Sequence, residues 1–275
     1  MEFEGAVAVI TGAASGIGRS TALALVKLGT DIVVADIDDA RMEEVSQAIE
    51  NLGRRALIVH CDVSQDASVK NLAAQTLSAF GRVDLLMNNA GVMIEGDVEK
   101  ISLADWEWVL NINLLGIIRG VHAFLPIMLK SGSGYIINTS SIAGLIPDWG
   151  SPSLAVKTIP YITSKFGVLG FSESLYTYLR PKGIMVSVLC PGGVSTNFQS
   201  NIRHAADDWQ QDNDIKSQVE AGAEATGNSD LGDMMEPDEV AQIIINSIKK
   251  EYFLILTHPN SRERLVERGQ YLLNL

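Results

Sequence analysis

Apolar positions along this chain recur with two periods. Short β-branched runs at Ala6–Ile10, Asp31–Asp36, Arg55–His60, Val83–Asn88, Tyr135–Thr139, Ile184–Cys190 and Tyr252–Thr257 read as strands. Longer amphipathic stretches lie between them, at Ile17–Leu28, Ala40–Leu52, Ala67–Phe80, Leu103–Lys130, Tyr161–Leu179 and Pro237–Lys249, and these read as helices. Nearly continuous apolar strands are expected where a parallel sheet is covered on both faces. The alternation predicts right-handed crossovers and an α/β fold, a doubly wound parallel sheet. Leu103–Lys130 exceeds an ordinary helix and reads as two. No repeat or linker interrupts the pattern, so a single domain over residues 1–275 is expected. Two segments depart from the rhythm. Val194 to Glu236 contains no proline and carries nine acidic residues against Arg203 and Lys216; so long a connection is expected to be a lid or a solvated, partly helical excursion. A helical extension is expected at about 259–275.

The formal net charge of −12 repels phosphate backbones, which argues against nucleic-acid partners. It also disfavours anionic membranes and acidic carrier proteins. Cys61 and Cys190 end apolar runs and read as buried, reduced thiols. The start of the chain has Glu2 and Glu4 without an early cation, a poor signal peptide. Leu110 to Leu129 contains Asn111, Asn113, Arg119, His122 and Pro126, which a membrane span would not easily tolerate. A cytoplasmic protein is therefore expected. His60 and His122 have no partner at metal-ligand spacing, so no metal site is expected.

The first strand runs into Thr11-Gly12-Ala13-Ala14-Ser15-Gly16-Ile17-Gly18, and a helix follows. Glycines here let the backbone turn tightly and approach a pyrophosphate, whose charge the N–H groups at the helix start would meet. The second strand ends at Asp36. A carboxylate there accepts hydrogen bonds from an adenosine ribose diol and repels a 2′-phosphate, and Ile37 supplies no compensating cation. NAD is thus favoured over NADP. Asp36 could alternatively be a helix N-cap or a turn acid, a duty that Asp38 or Asp39 could take instead. Asp62, after the third strand, fits either the adenine amino group or a helix cap.

Tyr161 and Lys165 stand four apart, on one helical face. A phenol with an ordinary pKa of ~10 is a poor base at neutrality, and a nearby ammonium or an oxidised nicotinamide would favour its anion. Tyr178 and Lys182 repeat the spacing, but Pro181 should end the helix between them.

The glycine pattern at 12–18, Asn88-Asn89-Ala90-Gly91, Asn113, Ser140-Ser141, Tyr161 with Lys165, and Pro191-Gly192 occur in an order that resembles the short-chain dehydrogenase/reductase family from about residue 5 to 196. The resemblance implies a Rossmann-type single domain with Tyr161 as general acid/base. It implies that Lys165 lowers the phenol's pKa and binds the nicotinamide ribose, and that Ser141 (with Ser140 as competitor) bonds the substrate oxygen. Asn113, with Asn111 as competitor, would hold a water linking Lys165 to solvent. Gly12, Ser15, Gly16, Ile17, Gly18, Asp36, Asp62, Val63, Asn89, Ala90 and Gly91 would line the cofactor site toward its phosphates and adenosine. Pro191, Gly192, Val194 and Thr196 would surround the carboxamide. The chain departs from the family in two places. Ser141 and Tyr161 are twenty positions apart, wider than usual, and the extra segment from Leu145 to Pro160 would either roof the cleft or lie aside from it. The tail continues through His258-Pro259-Asn260 into a further helix.

The expected function is a dehydrogenase/reductase with NAD as cofactor, interconverting a hydrophobic secondary alcohol and its ketone. Trp149 and Phe198, with Ile202 and Trp209, suggest the apolar pocket. The rivals are an NADPH-dependent 3-oxoacyl thioester reductase and a non-catalytic NAD-binding sensor. A homo-oligomer, dimer or tetramer, is expected on the Leu103–Lys130 and Tyr161–Leu179 helices, where Gly167 and Gly170 would permit close approach.

Overall fold

A computed structural model describes residues 1–147, 156–198, 202–205 and 234–274. The strands are β1 (Val7–Thr11), β2 (Asp31–Asp36), β3 (Ala56–His60), β4 (Leu85–Asn88), β5 (Ile94–Glu95), β6 (Gly134–Thr139), β7 (Ile184–Cys190), β8 (Arg203–His204) and β9 (Leu254–Leu256). The helices are α1 (Gly16–Val26), α2 (Asp39–Asn51), α3 (Asp66–Phe80), α4 (Leu103–Leu110), α5 (Gly116–Ser131), α6 (Ile159–Leu179), α7 (Pro237–Lys249) and α8 (Ser261–Leu273). Among the described residues the main sheet has seven strands, all parallel, in the order β3-β2-β1-β4-β6-β7-β9.

Period-two alternation divides each strand between two cores. Ala8, Ile10, Ile32, Val34, Leu85 and Met87 face α1, α2 and α7, where Leu25, Met42, Ile49 and Ile244 meet them. Val7, Val9, Val33, Ala35 and Leu86 face α3, α5 and α6, against Leu72, Val121, Phe124 and Leu179. Both faces are dry, which is why the strands are apolar throughout. Winding reverses between β1 and β4, and such a switch point opens a crevice at the carboxyl ends of the strands.

Residues 103–131 differ from the expected pair of helices. They form one continuous helical run, α4 and α5 joined by a π turn at Asn111–Leu115. One extra residue is taken into a turn without breaking the helix. The run is long and apolar enough to cross a membrane. Its face carrying Ile117, Val121, Phe124 and Met128 packs on the sheet, while Leu115 and Leu129 are exposed. Gly167 on α6 is used within the chain, where a Cβ would lie 2.9 Å from Leu114 Cδ2; Gly170 faces open space.

Beyond β9 the chain runs into α8. α8 lays Leu265 on the cluster that contains Leu145, Val168 and Cys190. Arg268 stacks over Phe166 at 5.1 Å. Its outer residues Val266, Tyr271 and Leu273 are exposed.

Candidate active site

The glycine turn joins β1 to α1 where the winding reverses. Gly12 has φ +67°, and a Cβ on it would lie 2.9 Å from Ala90 Cα. A Cβ on Gly18 would collide with the Gly12 carbonyl. The turn is thus closed against the loop after β4. Thr11 Oγ1 ties the loops together by accepting from Asn89 N–H at 3.0 Å and from Ala90 N–H at 3.2 Å. Asn89 Nδ2 donates to the Gly12 carbonyl at 3.2 Å. Ser15 occupies the N-cap of α1 without making a side-chain cap bond, and Ile17 packs inward. Thr196 lies against Gly16, its Cγ2 2.9 Å from the position of a Cβ there. A bare-backbone helix start of this kind, cradled by close packing, fits a pyrophosphate.

At the far end of the turn, Asp36 Oδ2 accepts from Ala14 N–H at 3.0 Å and Oδ1 from Ile37 N–H at 2.7 Å. The capping alternative for Asp36 does not hold, because Asp38 is the N-cap of α2, accepting from Arg41 N–H at 3.1 Å; Asp36 does serve as a turn acid, Oδ1 also accepting from Asp38 N–H at 3.3 Å. Nor does Asp62 cap α3, whose N-cap is Gln65; Asp62 Oδ1 accepts from Ser64 N–H at 2.9 Å in a local turn. Val63 is buried where a Cβ on Gly116 would touch it.

The chemical end is assembled at the carboxyl ends of β4, β6 and β7. Tyr161, Lys165 and Ser141 are all buried, and the Ser141 hydroxyl stands beside the phenol, where it acts to lower the phenol's pKa. The two serines separate cleanly. Ser140 Oγ donates to the Lys165 carbonyl at 2.7 Å and so is spent on α6. Ser141 Oγ accepts from Ala143 N–H at 3.1 Å and stays beside the phenol. Lys165 Nζ donates to the Thr139 carbonyl at 3.0 Å and lies 5.5 Å from the Tyr161 ring centroid. Burial pushes the phenol up and the Ser141 hydroxyl offsets part of the rise, leaving it pushed up to about 12. Burial likewise pushes Lys165 down to about 8, leaving it largely charged at neutrality. The phenol's own surroundings thus favour its neutral form.

Asn113 sits in the π turn, fully buried. Its side chain is spent: Oδ1 accepts from Val92 N–H at 2.8 Å, and Nδ2 donates to the Val92 carbonyl at 2.9 Å and to Ser164 Oγ at 3.0 Å. Ser164 Oγ donates to the Tyr161 carbonyl at 2.6 Å. Asn111 bonds Arg119 at 2.6 Å, away from this group. A Cβ on Gly91 would lie 3.3 Å from Asn113 Oδ1 and 3.5 Å from Lys165 Nζ. Pro191 and Gly192 follow β7, and the Pro191 carbonyl accepts from Ile142 N–H at 2.9 Å. Val194 bridges to Met235.

The wall over the phenol is apolar. Met93, Ala143 and Tyr161 cluster with Ile162, Phe198 and Ile202, and the Phe198 ring is tilted 54° to Tyr161 at 6.0 Å. Sequence reasoning named Phe198 and Ile202 but missed Met93, Ile162 and the supporting Ser164. Met93 had one local signal, lying two residues beyond Asn88-Asn89-Ala90-Gly91. Trp149, Trp209 and most of the 194–236 excursion lie outside the described residues, as do residues 148–155. The helix ends at Leu179, between the members of the second pair, as expected, and the two side chains still meet: Lys182 Nζ lies 4.5 Å from the Tyr178 ring. A 3₁₀ turn at Arg180–Lys182 carries the lysine round past Pro181. Tyr178 is exposed, so this pair lines no cleft.

A parallel sheet with a bare glycine turn at its switch point defines a Rossmann-type dinucleotide-binding fold. Residues 6–207 match the family model described as short chain dehydrogenase. The chain is 36% identical over 198 residues to a 3-oxoacyl-[acyl-carrier-protein] reductase of Synechocystis sp., covering 71% of this chain and 77% of that one. It is 31% identical over 245 residues to a cyclohexanol dehydrogenase of Acinetobacter sp., covering 88% and 87%. Among solved structures, a short-chain dehydrogenase/reductase from Burkholderia phymatum in complex with NAD is similar at a TM-score of 0.85 and 32% identity, covering 99% of this chain and 95% of that one. The chain belongs to the short-chain dehydrogenase/reductase family and is an oxidoreductase of alcohol- or ketone-type small molecules.

Proposed function

We propose that this chain is an NAD(H)-dependent dehydrogenase/reductase that interconverts a hydrophobic secondary alcohol and its ketone, with Tyr161 as general acid/base. The observation that carries the reading is a buried phenol beside the Ser141 hydroxyl and beneath an apolar wall, with Lys165 on the same helical face. When bound, the dinucleotide supplies the hydride acceptor or donor and, in its oxidised form, a positive charge.

The chain's own residues divide the remaining work. In reduction, Tyr161 gives its proton to the forming alkoxide, a task suited to a phenol held up at about 12. Ser141 donates a hydrogen bond to the same oxygen, where charge develops. In oxidation, Tyr161 as phenolate removes the hydroxyl proton, and the Lys165 cation favours that anion. Asn113 fixes the Val92 loop and the start of α6 with its amide; a water relay from Lys165 would use its main-chain carbonyl, because the amide is committed. Met93, Phe198 and Ile202 exclude water and favour an uncharged, apolar substituent.

Asp36 supports NAD over NADP. Its carboxylate is fixed at the end of β2 by three N–H donors, those of Ala14, Ile37 and Asp38, and a fixed anion there repels a 2′-phosphate. Titration with NADH and NADPH, followed by an NAD-coupled screen of secondary alcohols graded in size, tests the reading; a clear NADPH preference would overturn the cofactor assignment. The likeness to a 3-oxoacyl reductase keeps that activity as the rival, to be assayed with a 3-oxoacyl thioester and NADPH. A homo-oligomer built on the outer faces of α5 and α6 is supported by exposed Leu115, Leu129 and the open flank of Gly170. Light scattering that showed a monomer would remove it. A cytoplasmic location is proposed from the charge and cysteine pattern alone.

A further inference from the structure

The loop after β7 is held from two sides by distant parts of the chain. On one side, the Pro191 carbonyl accepts from Ile142 N–H, the residue after Ser141, at 2.9 Å. On the other side lies the C-terminal tail. β9 pairs with β7 through Leu256 and Cys190, so the residues after each strand run on together. Gly192 N–H donates to Thr257 Oγ1 at 3.2 Å. Thr257 Oγ1 is 2.7 Å from His258 Nδ1. The imidazole occupies the space a side chain at 192 would need: a Cβ there would lie 2.7 Å from His258 Nδ1. Thr257 is buried, so its hydroxyl serves this loop rather than solvent. The His258 carbonyl accepts from Ser261 N–H at the start of α8 at 3.2 Å. α8 in turn stacks Arg268 on Phe166, the neighbour of Lys165.

We infer that Thr257 and His258 are positioning residues for the nicotinamide end of the cofactor, acting through Gly192, so that the C-terminal tail is a working part of the site. This rests on the dinucleotide reading above. The physical reason is preorganisation. A loop whose amide is bonded and whose flank is packed is held in one conformation before the ring arrives, and no ordering cost is left for binding. The effect is local. Asp36 and the glycine turn are held instead by contacts from Ala14, Ile37, Asn89 and Ala90.

The test uses the whole chain and two ligands that differ only at the nicotinamide end. NADH carries the ring, and ADP-ribose ends at the ribose that would bear it. Thr257→Val keeps the shape and removes the hydroxyl; His258→Ala removes the packed ring; Thr257→Ser keeps the hydroxyl. Calorimetric titration is expected to show NADH affinity falling roughly tenfold in Thr257→Val and His258→Ala, with ADP-ribose affinity unchanged within about twofold. Thr257→Ser should bind NADH as the wild type does. Unchanged NADH affinity in both disrupting variants would overturn the inference, as would an equal loss for NADH and ADP-ribose, which marks general damage. A wild type that bound neither NADH nor NADPH would instead sink the dinucleotide reading, and this inference with it.

Discussion

The two ends of the cleft are built in opposite ways. At the glycine turn, the groups that matter are main-chain atoms and one carboxylate, supplied by β1, α1 and β2 within residues 11–37, with Ala90 closing the turn from outside. At the phenol, side chains arrive from the loop after β4 (Met93), the end of β6 (Ser141), α6 (Tyr161 and Lys165) and the stretch after β7 (Phe198). The first end is electrostatic and made largely of backbone, so it tolerates few changes of shape. The second is made of exchangeable side chains on a fixed frame. A family can keep its cofactor while varying its substrates because binding and chemistry are built from such different material.

Substitutions can break this division, and the largest expected effect lies at the chemical end. Tyr161→Phe removes the oxygen that carries the proton, so turnover should fall roughly 10²–10⁴-fold. NADH affinity should stay at the wild-type value, since nothing at the glycine turn has changed. Near-normal turnover would erase the proposed division of labour. Ser141→Ala comes next, with turnover down about 10²-fold and little change in stability. Its neighbour provides the contrast: Ser140→Ala removes a buried bond to the Lys165 carbonyl, costs about 1 kcal/mol of stability, and leaves turnover within a few-fold. If both serines behaved alike in kinetics and thermal unfolding, their separation here would be wrong.

At the adenosine end, Asp36→Asn should lower the preference for NADH over NADPH by roughly tenfold, measured as a ratio of dissociation constants, since one fixed charge near a phosphate is worth about 1 kcal/mol. No change in that ratio would remove Asp36 as the discriminator. The smallest effect is that of pH. Tyr161, pushed up by burial, loses its proton more readily as pH rises, so oxidation should quicken toward pH 8. Above about 8 Lys165 loses the charge that favours the phenolate, and the rise should flatten. Reduction, which uses the protonated phenol, should hold steady over the same range, because a phenol pushed up to about 12 keeps its proton there. An oxidation rate that declined throughout would assign the proton to another group.

The glycine-turn end of the cleft was readable along the chain because its parts are local. A glycine pattern between a strand and a helix, and an acid at the end of the next strand, have one geometry once the strands are parallel neighbours. Tyr161 and Lys165 were readable for the same reason, since four residues along a helix set a shared face. The competition between Ser140 and Ser141 was not, because which hydroxyl points at α6 depends on where that helix is packed. The π turn at Asn111–Leu115 was hidden as well: an inserted residue leaves the apolar pattern almost intact and shifts only the register of Asn113.

The sequence alone determined the alternation of strands and helices, the glycine turn, the acid at Asp36 and the helical pairing of Tyr161 with Lys165, all properties of neighbours within a turn or a strand. Tertiary structure alone decided which serine stands beside the phenol, that Met93 and Ile162 join the apolar wall, that the Asn113 amide is spent on Val92, and that the tail reaches Gly192 through Thr257 and His258. Those contacts join residues far apart in the chain. Their formation depends on the register of strands and the seating of helices in two packed cores, which no local pattern encodes.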